Sequence, residues 1–112
     1  MQFESEKTGE VLVVKPLEKR MDAAVAVDFK EKMGEFIESG NDLIILDLSS
    51  VDFIDSTGLG AIVSSLKRLG RKGDLVICGI RETVMSLFKL TRMDRVFRIF
   101  AERNEAIAAL SK

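Results

Sequence analysis

Apolar positions along the chain recur first at every second residue, then at every third or fourth, and the two rhythms alternate to the C-terminus. Phe3 to Lys7 alternates as a half-exposed strand does, Thr8-Gly9 marks a turn, and Glu10 to Lys15 carries the β-branched run Val11-Leu12-Val13-Val14. Together they predict an opening hairpin that Pro16 ends. From Asp22, a good cap, the period changes: Ala26, Phe29, Met33, Phe36 and Ile37 line one face of a helix that Ser39-Gly40 stops. Leu43 to Leu48 is an almost unbroken apolar run, the pattern of a strand covered on both faces of a parallel sheet. A second helix is predicted from Thr57 to Arg68 on Leu59, Ile62, Val63, Leu66 and Leu69, ending at Gly70 with Lys67, Arg68, Arg71 and Lys72 at its negative end. A strand at Leu75–Cys78, a short helix at Thr83–Leu90, a strand at Val96–Phe100 and a helix at Asn104–Leu110 complete the series.

The order ββαβαβαβα implies an α/β fold with right-handed crossovers and a mainly parallel sheet, its antiparallel edge supplied by the N-terminal hairpin. No repeat, linker or low-complexity segment divides the sequence, so residues 1–112 are expected to form a single domain.

One segment is not accounted for by packing. Ser49 to Gly60 leaves the carboxyl end of the central strand, where open α/β folds usually meet ligands and partners. Asp55-Ser56-Thr57 offers carboxylate and hydroxyl groups to cap the following helix, and Gly58 and Gly60 remove side chains from its first turn. Two readings stand side by side: a cap with glycines that permit close packing on the sheet, or a backbone and a Ser56 hydroxyl left open to something approaching from outside. Glycine inside a helix costs on the order of 1 kcal/mol relative to alanine, which calls for a reason.

Composition removes most enzymatic readings. The chain has 112 residues, 46% hydrophobic and 31% charged, with no His, Trp or Tyr and one Cys. Without His there is no Ser-His or Cys-His pair and no histidine-based metal site, and Cys78 alone makes no disulfide or thiolate cluster. Gly58-Leu59-Gly60 is not a dinucleotide fingerprint, because Val63 holds the third glycine position, and no Gly-Lys-Ser/Thr follows. Ile54-Asp55-Ser56-Thr57-Gly58 has half of a nucleophile elbow but lacks its first glycine and a base. Asp47, Asp52 and Asp55 could in principle hold a magnesium ion, yet Asp47 sits in an apolar run and Asp52 at a turn. The chain is thus expected to be no enzyme. No apolar run approaches the roughly 18 residues of a membrane helix, and nothing resembles a signal peptide, so a soluble, cytoplasmic protein without membrane insertion is expected. Net charge is −1, but residues 1–66 carry 6 basic and 13 acidic side chains and the rest 11 and 5. Compact folding that brings the halves together, or a face for a charged partner, would each explain this. The basic series Lys89, Arg92, Arg95, Arg98 and Arg103 reads as a solvated face rather than a nucleic-acid surface.

A serine at a helix mouth can receive a phosphate. The modification adds about 1.5 to 2 negative charges, which the free N–H groups and dipole of the helix tolerate, so the cost falls on a partner that must desolvate a dianion beside Asp55. The stretch Leu46-Asp47-Leu48-Ser49-Ser50-Val51-Asp52-Phe53-Ile54-Asp55-Ser56-Thr57-Gly58-Leu59-Gly60 resembles the signature of the STAS family, specifically its free-standing bacterial anti-sigma factor antagonists. Arg20-Met21-Asp22-Ala23-Ala24 and Leu87 to Phe97 extend the resemblance over essentially the whole chain.

The resemblance implies partner switching. The unmodified antagonist would bind an anti-sigma factor that is also a GHKL-type serine kinase, freeing the sigma factor. Phosphorylation at Ser56 would release the complex, and a PPM-type serine phosphatase would reset it. By position, Ser56 is the implied phosphoacceptor, with Asp22, Asp55, Thr57, Gly58, Leu59 and Gly60 at the binding surface and Thr57 as a second available hydroxyl. ATP and magnesium belong to the partner, and no cofactor or direct nucleic-acid contact is implied for the chain itself. Two alternatives remain at this stage. One is a STAS accessory subunit of a membrane transporter or sensory complex, without a phospho-switch; the other is a small nucleotide-binding or hydrolytic α/β protein.

Overall fold

Gly9 takes a φ of +62° at the first position of a two-residue turn, the conformation that lets two strands reverse without splaying. Strands β1 (Phe3–Thr8) and β2 (Val11–Pro16) therefore pair antiparallel, with Phe3 opposite Pro16 and Thr8 opposite Val11. Everything after the hairpin adds in parallel. β2 pairs with β4 (Leu43–Asp47), β4 with β6 (Asp74–Cys78), and β6 with β7 (Ile99–Phe100), giving the order β1-β2-β4-β6-β7. This is the α/β arrangement with an antiparallel hairpin edge that the hydrophobic pattern predicts. It is read from a computed structural model that describes residues 1–111; Lys112, included in the expected domain, lies outside them.

Alternation along the central strands divides the core into two layers. Leu12, Val14, Ile44, Leu46, Leu75 and Ile77 face α1 (Ala23–Glu38), α2 (Ser56–Leu69) and α3 (Glu82–Leu90), whose Phe29, Met33, Ile62 and Phe88 are fully buried against them. Val11, Val13, Ile45, Val76 and Cys78 face the other way, toward Ala106 and Leu110 of α4 (Arg103–Leu110). β4 is covered on both faces, which is why its sequence is continuously apolar until Asp47.

Two departures from the expected elements bear on function. The last strand is shorter than Val96–Phe100. Arg92 enters the left-handed region at φ 62°, Met93–Arg95 forms a 3-10 turn, and the N–H groups of Val96 and Phe97 both donate to the Met93 carbonyl. Local bonds thus hold these residues until the Arg98 carbonyl accepts from Ile77 N–H and pairing begins, while Phe97 packs on Phe88 with ring centroids 6.0 Å apart. The second departure is a two-stranded ribbon outside the main sheet, β3 (Arg20–Met21) with β5 (Phe53–Ile54), which no sequence periodicity announces.

Part of the uneven charge is met by ion pairs that join the two parts of the chain, most of them at the surface. Glu38 pairs with Arg68, Asp52 with Arg81, and both Glu6 and Asp47 with Arg103, each joining the acidic first part of the chain to the basic second part.

Candidate functional site

The ribbon makes two helices start side by side. β3 and β5 are parallel, with Arg20 opposite Phe53 and Met21 opposite Ile54, and each strand runs directly into an aspartate that opens a helix. The Asp22 carboxylate accepts from Ala24 N–H at 3.0 Å and caps α1, and the Asp55 carboxylate accepts from Gly58 N–H at 2.9 Å and caps α2. Asp55 N–H also donates to the Met21 carbonyl at 3.3 Å, which ties the second cap to the residue before the first. Met21 and Ile54 point into the core, so alternation sends Arg20, Asp22, Phe53 and Asp55 to the outer face of the ribbon.

On that face Ser56 and Thr57 are exposed as the first two residues of α2, and Asp22 and Asp55 are half-buried. Asp55 alone caps the helix, so the capping role considered for Ser56 falls to its neighbour and α2 begins one residue earlier than the period suggested. The two glycines separate. A Cβ on Gly58 would stand 2.0 Å from the Met21 carbonyl oxygen, so this glycine is required where α2 crosses the ribbon, and packing explains it. Around Gly60, exposed on the same helix, nothing beyond its chain neighbours and the backbone of its own helix lies within 4 Å of the corresponding position. Leu59, expected on the binding surface, is 7% exposed and belongs to the core, as does Gly58; both support the surface from beneath.

Two residues of this face, quoted in the resemblance, are not singled out as site residues by the sequence. The Arg20 guanidinium lies 4.2 Å from the centroid of the Phe53 ring and 3.6 Å from an Asp22 carboxylate oxygen, and Phe53 is 40% exposed. Their signal was the shared spacing: Arg20 precedes the first cap, and Phe53 the second, by two residues.

The buried carboxylate on the other side of the sheet has structural partners. Asp47 ends β4 on the α4 face, buried, and accepts from Arg103 Nη2 at 2.7 Å and from Ser49 N–H at 3.0 Å. Burial pushes its pKa up, but those hydrogen bonds outweigh burial and hold it below the ordinary 3.8. The Cys78 thiol is pushed up to about 11 by burial and then by the Asp47 charge, which leaves it a protonated core residue. Among the described residues no group of three His, Cys, Asp or Glu side chains could hold a metal ion, and no helix is long and apolar enough to cross a membrane. The face thus presents acidic caps, a stacked Arg-Phe pair, the exposed hydroxyl residues Ser56 and Thr57 and the exposed Gly60.

Known proteins share this architecture. The STAS domain model matches residues 2–106. The anti-sigma-B factor antagonist of Listeria monocytogenes is 31% identical over 80 residues, 70% of this chain and 70% of that protein. The crystal structure of TM1081 from Thermotoga maritima superposes with a TM-score of 0.90 at 29% identity, covering 98% of this chain and 95% of that one. The phosphorylated form of the Bacillus cell fate determinant SpoIIAA has the same fold, with a TM-score of 0.71 at 21% identity over 96% and 98% of the two chains. With the STAS domain model matched over nearly its whole length, the chain belongs to the STAS domain family.

Proposed function

We propose that this protein is an anti-sigma factor antagonist whose partner docks on the face formed by the starts of α1 and α2, and whose release is set by phosphorylation of Ser56. The observation that carries the reading is the position of Ser56: an exposed hydroxyl on the first residue of a helix already capped by its neighbour Asp55. That hydroxyl is dispensable to the fold and accessible to an enzyme. The anti-sigma-B antagonist relative supports the regulatory class.

The physical account of release is electrostatic. The dipole and free N–H groups of α2 tolerate a phosphate on Ser56, so the scaffold survives. A partner packed over Ser56, with Asp22 and Asp55 beside it, would have to bury a dianion among carboxylates, which costs several kcal/mol. On this reading the partner is an anti-sigma factor that is also a GHKL-type serine kinase supplying ATP and magnesium, a PPM-type phosphatase resets the site, and the exchange takes place in the cytoplasm. Thr57, Gly60, Arg20 and Phe53 contribute surface, and Gly58 and Leu59 hold it in place.

The test is mass spectrometry of the protein incubated with its kinase partner and ATP. Phosphate should appear on Ser56 and be absent from Ser56→Ala, which should stay bound in the presence of ATP. Ser56→Asp should keep its fold and lose affinity by about a hundredfold. Phosphate on Thr57 alone, or unchanged affinity in Ser56→Asp, would overturn the switch. A chain that binds its partner and is never phosphorylated would be an accessory STAS subunit instead.

A further inference from the structure

The segment that carries the proposed acceptor is held from outside, by the start of α3. Between β4 and β5 the chain turns through Leu48 to Asp52, and two of its carbonyls accept bonds from side chains of one short stretch. Arg81 Nε donates to the Ser49 carbonyl at 2.8 Å, and Thr83 Oγ1 donates to the Asp52 carbonyl at 2.8 Å. Arg81 Nη1 also lies 3.1 Å from an Asp52 carboxylate oxygen, so one guanidinium spans the turn from residue 49 to residue 52. Arg81 caps the first turn of α3 without any side-chain bond to that helix, so its side chain is free for the loop. The anchor is firm, because Val84 and Phe88 of α3 are buried in the core.

β5 has only two residues and pairs with a strand of two, a weak foundation by itself. On the inner side the turn is held by buried Leu48 and Val51 and by the Asp52 and Phe53 N–H groups, which donate to the Lys19 carbonyl, while its outward Ser49 and Asp52 carbonyls accept from Arg81 and Thr83. We infer that Arg81, with Thr83, is the positioning residue of the Ser56 site, fixing the turn through which β5 delivers the start of α2 to the docking face. The geometry favours arginine in particular. A planar guanidinium reaches two acceptors in fixed directions, whereas a lysine ammonium is a single point of charge. Its side chain is more than half exposed, so the pair adds little to global stability and its effect is felt as placement.

The inference deepens the proposed function, and its part that concerns phosphorylation rests on that reading. Amide hydrogen exchange of the whole protein tests the clamp without a partner. In Arg81→Ala and in Thr83→Val, the hydrogen-bonded amides of Asp52, Phe53, Asp55, Gly58 and Leu59 should exchange about fivefold to tenfold faster, while those of β4 and β6 keep their wild-type rates. Arg81→Lys should recover part of the protection. Unchanged exchange at these amides in the Arg81→Ala, Thr83→Val double variant would overturn the inference, as would an equal rise throughout the sheet. With the kinase partner, Arg81→Ala should lower kcat/KM for modification of Ser56 about tenfold, and Arg81→Lys should restore part of it. Wild-type rates of modification and binding in a variant with a loosened loop would also overturn it. Absence of phosphate from the wild-type protein would instead sink the reading of Ser56 and leave the clamp to be judged on exchange.

Discussion

The starts of α1 and α2 are built on one plan and finished differently. Each follows a two-residue strand of the same ribbon, each is capped by an aspartate whose carboxylate accepts from a backbone N–H at 2.9 to 3.0 Å, and each turns an apolar face to the same core layer. α1 then opens with Ala23-Ala24-Val25, good packing material and, for the alanines, the best helix formers. α2 opens with Ser56-Thr57-Gly58-Leu59-Gly60, which puts two hydroxyls and two glycines where a helix gains nothing from them. Since the neighbouring helix achieves the same start with better residues, helix formation does not explain the choice. One departure, Gly58, is forced by contact with the ribbon; Ser56, Thr57 and Gly60 are not, and these are the exposed ones.

The sharpest way to separate forced from free positions is Gly58→Ala. Its methyl would meet a backbone oxygen at 2.0 Å, and neither the ribbon nor the helix can yield without losing the Met21–Ile54 pairing. A loss of about 3 kcal/mol or more is expected in denaturant unfolding. A loss under about 1 kcal/mol would mean the two helices are not held against each other as described.

Next in size is the carboxylate on the opposite face of the sheet, which sharpens the contrast with the two caps. Arg103→Ala strands the buried Asp47 charge and should cost about 1–3 kcal/mol at neutral pH. The folded pKa of Asp47 is depressed, so its contribution is fully present above the ordinary carboxyl value of 3.8 and is lost as pH falls through the lower folded value. The advantage of the wild type over Arg103→Ala should therefore shrink progressively in unfolding curves taken as pH falls from 3.8 through the depressed folded value. An advantage independent of pH would assign Arg103 a packing role.

Smaller still are the caps themselves. Asp22→Ala and Asp55→Ala should each cost about 1 kcal/mol, since each removes one side-chain acceptor from one helix start. Equal losses would support the common plan. A loss at Asp55 several times that at Asp22 would show that α2 depends on its cap in a way α1 does not.

How much of this could be read from the sequence follows from which interactions have a period. Four helices and the sheet were legible because burial repeats at 3.6 or 2 residues, and the Asp22 cap and Gly40 stop of α1 have local chemistry of their own. Ser56 was legible as the residue without a packing reason. The ribbon was not, because two residues make no period, and its partners are 33 residues apart in the chain. Similar separations hid the stacking of Arg20 on Phe53, the contact that fixes Gly58, and the reach of Arg81 to Ser49. Val96 to Phe100 misled because an apolar run of strand composition is spent partly on a 3-10 turn, whose bonds to Met93 are made locally before the sheet is reached.

Gly60→Ala has the smallest expected effect on the fold and puts the comparison of the two helix starts to its most direct test. Beyond its own helix backbone and chain neighbours nothing lies within 4 Å of the added methyl, and the residue sits inside α2, so helix propensity decides and the variant should be more stable by about 0.5 kcal/mol. Thermal unfolding should register this as a rise of a few degrees. The same methyl projects from the first turns of α2, where the proposed partner closes over Ser56, so affinity should fall while stability rises. That opposition is the pattern of a position kept for binding at the expense of the fold. A variant both more stable and as well bound would show that the bare turn serves no partner, and would leave the hydroxyls of Ser56 and Thr57 as the only unexplained difference between α2 and α1.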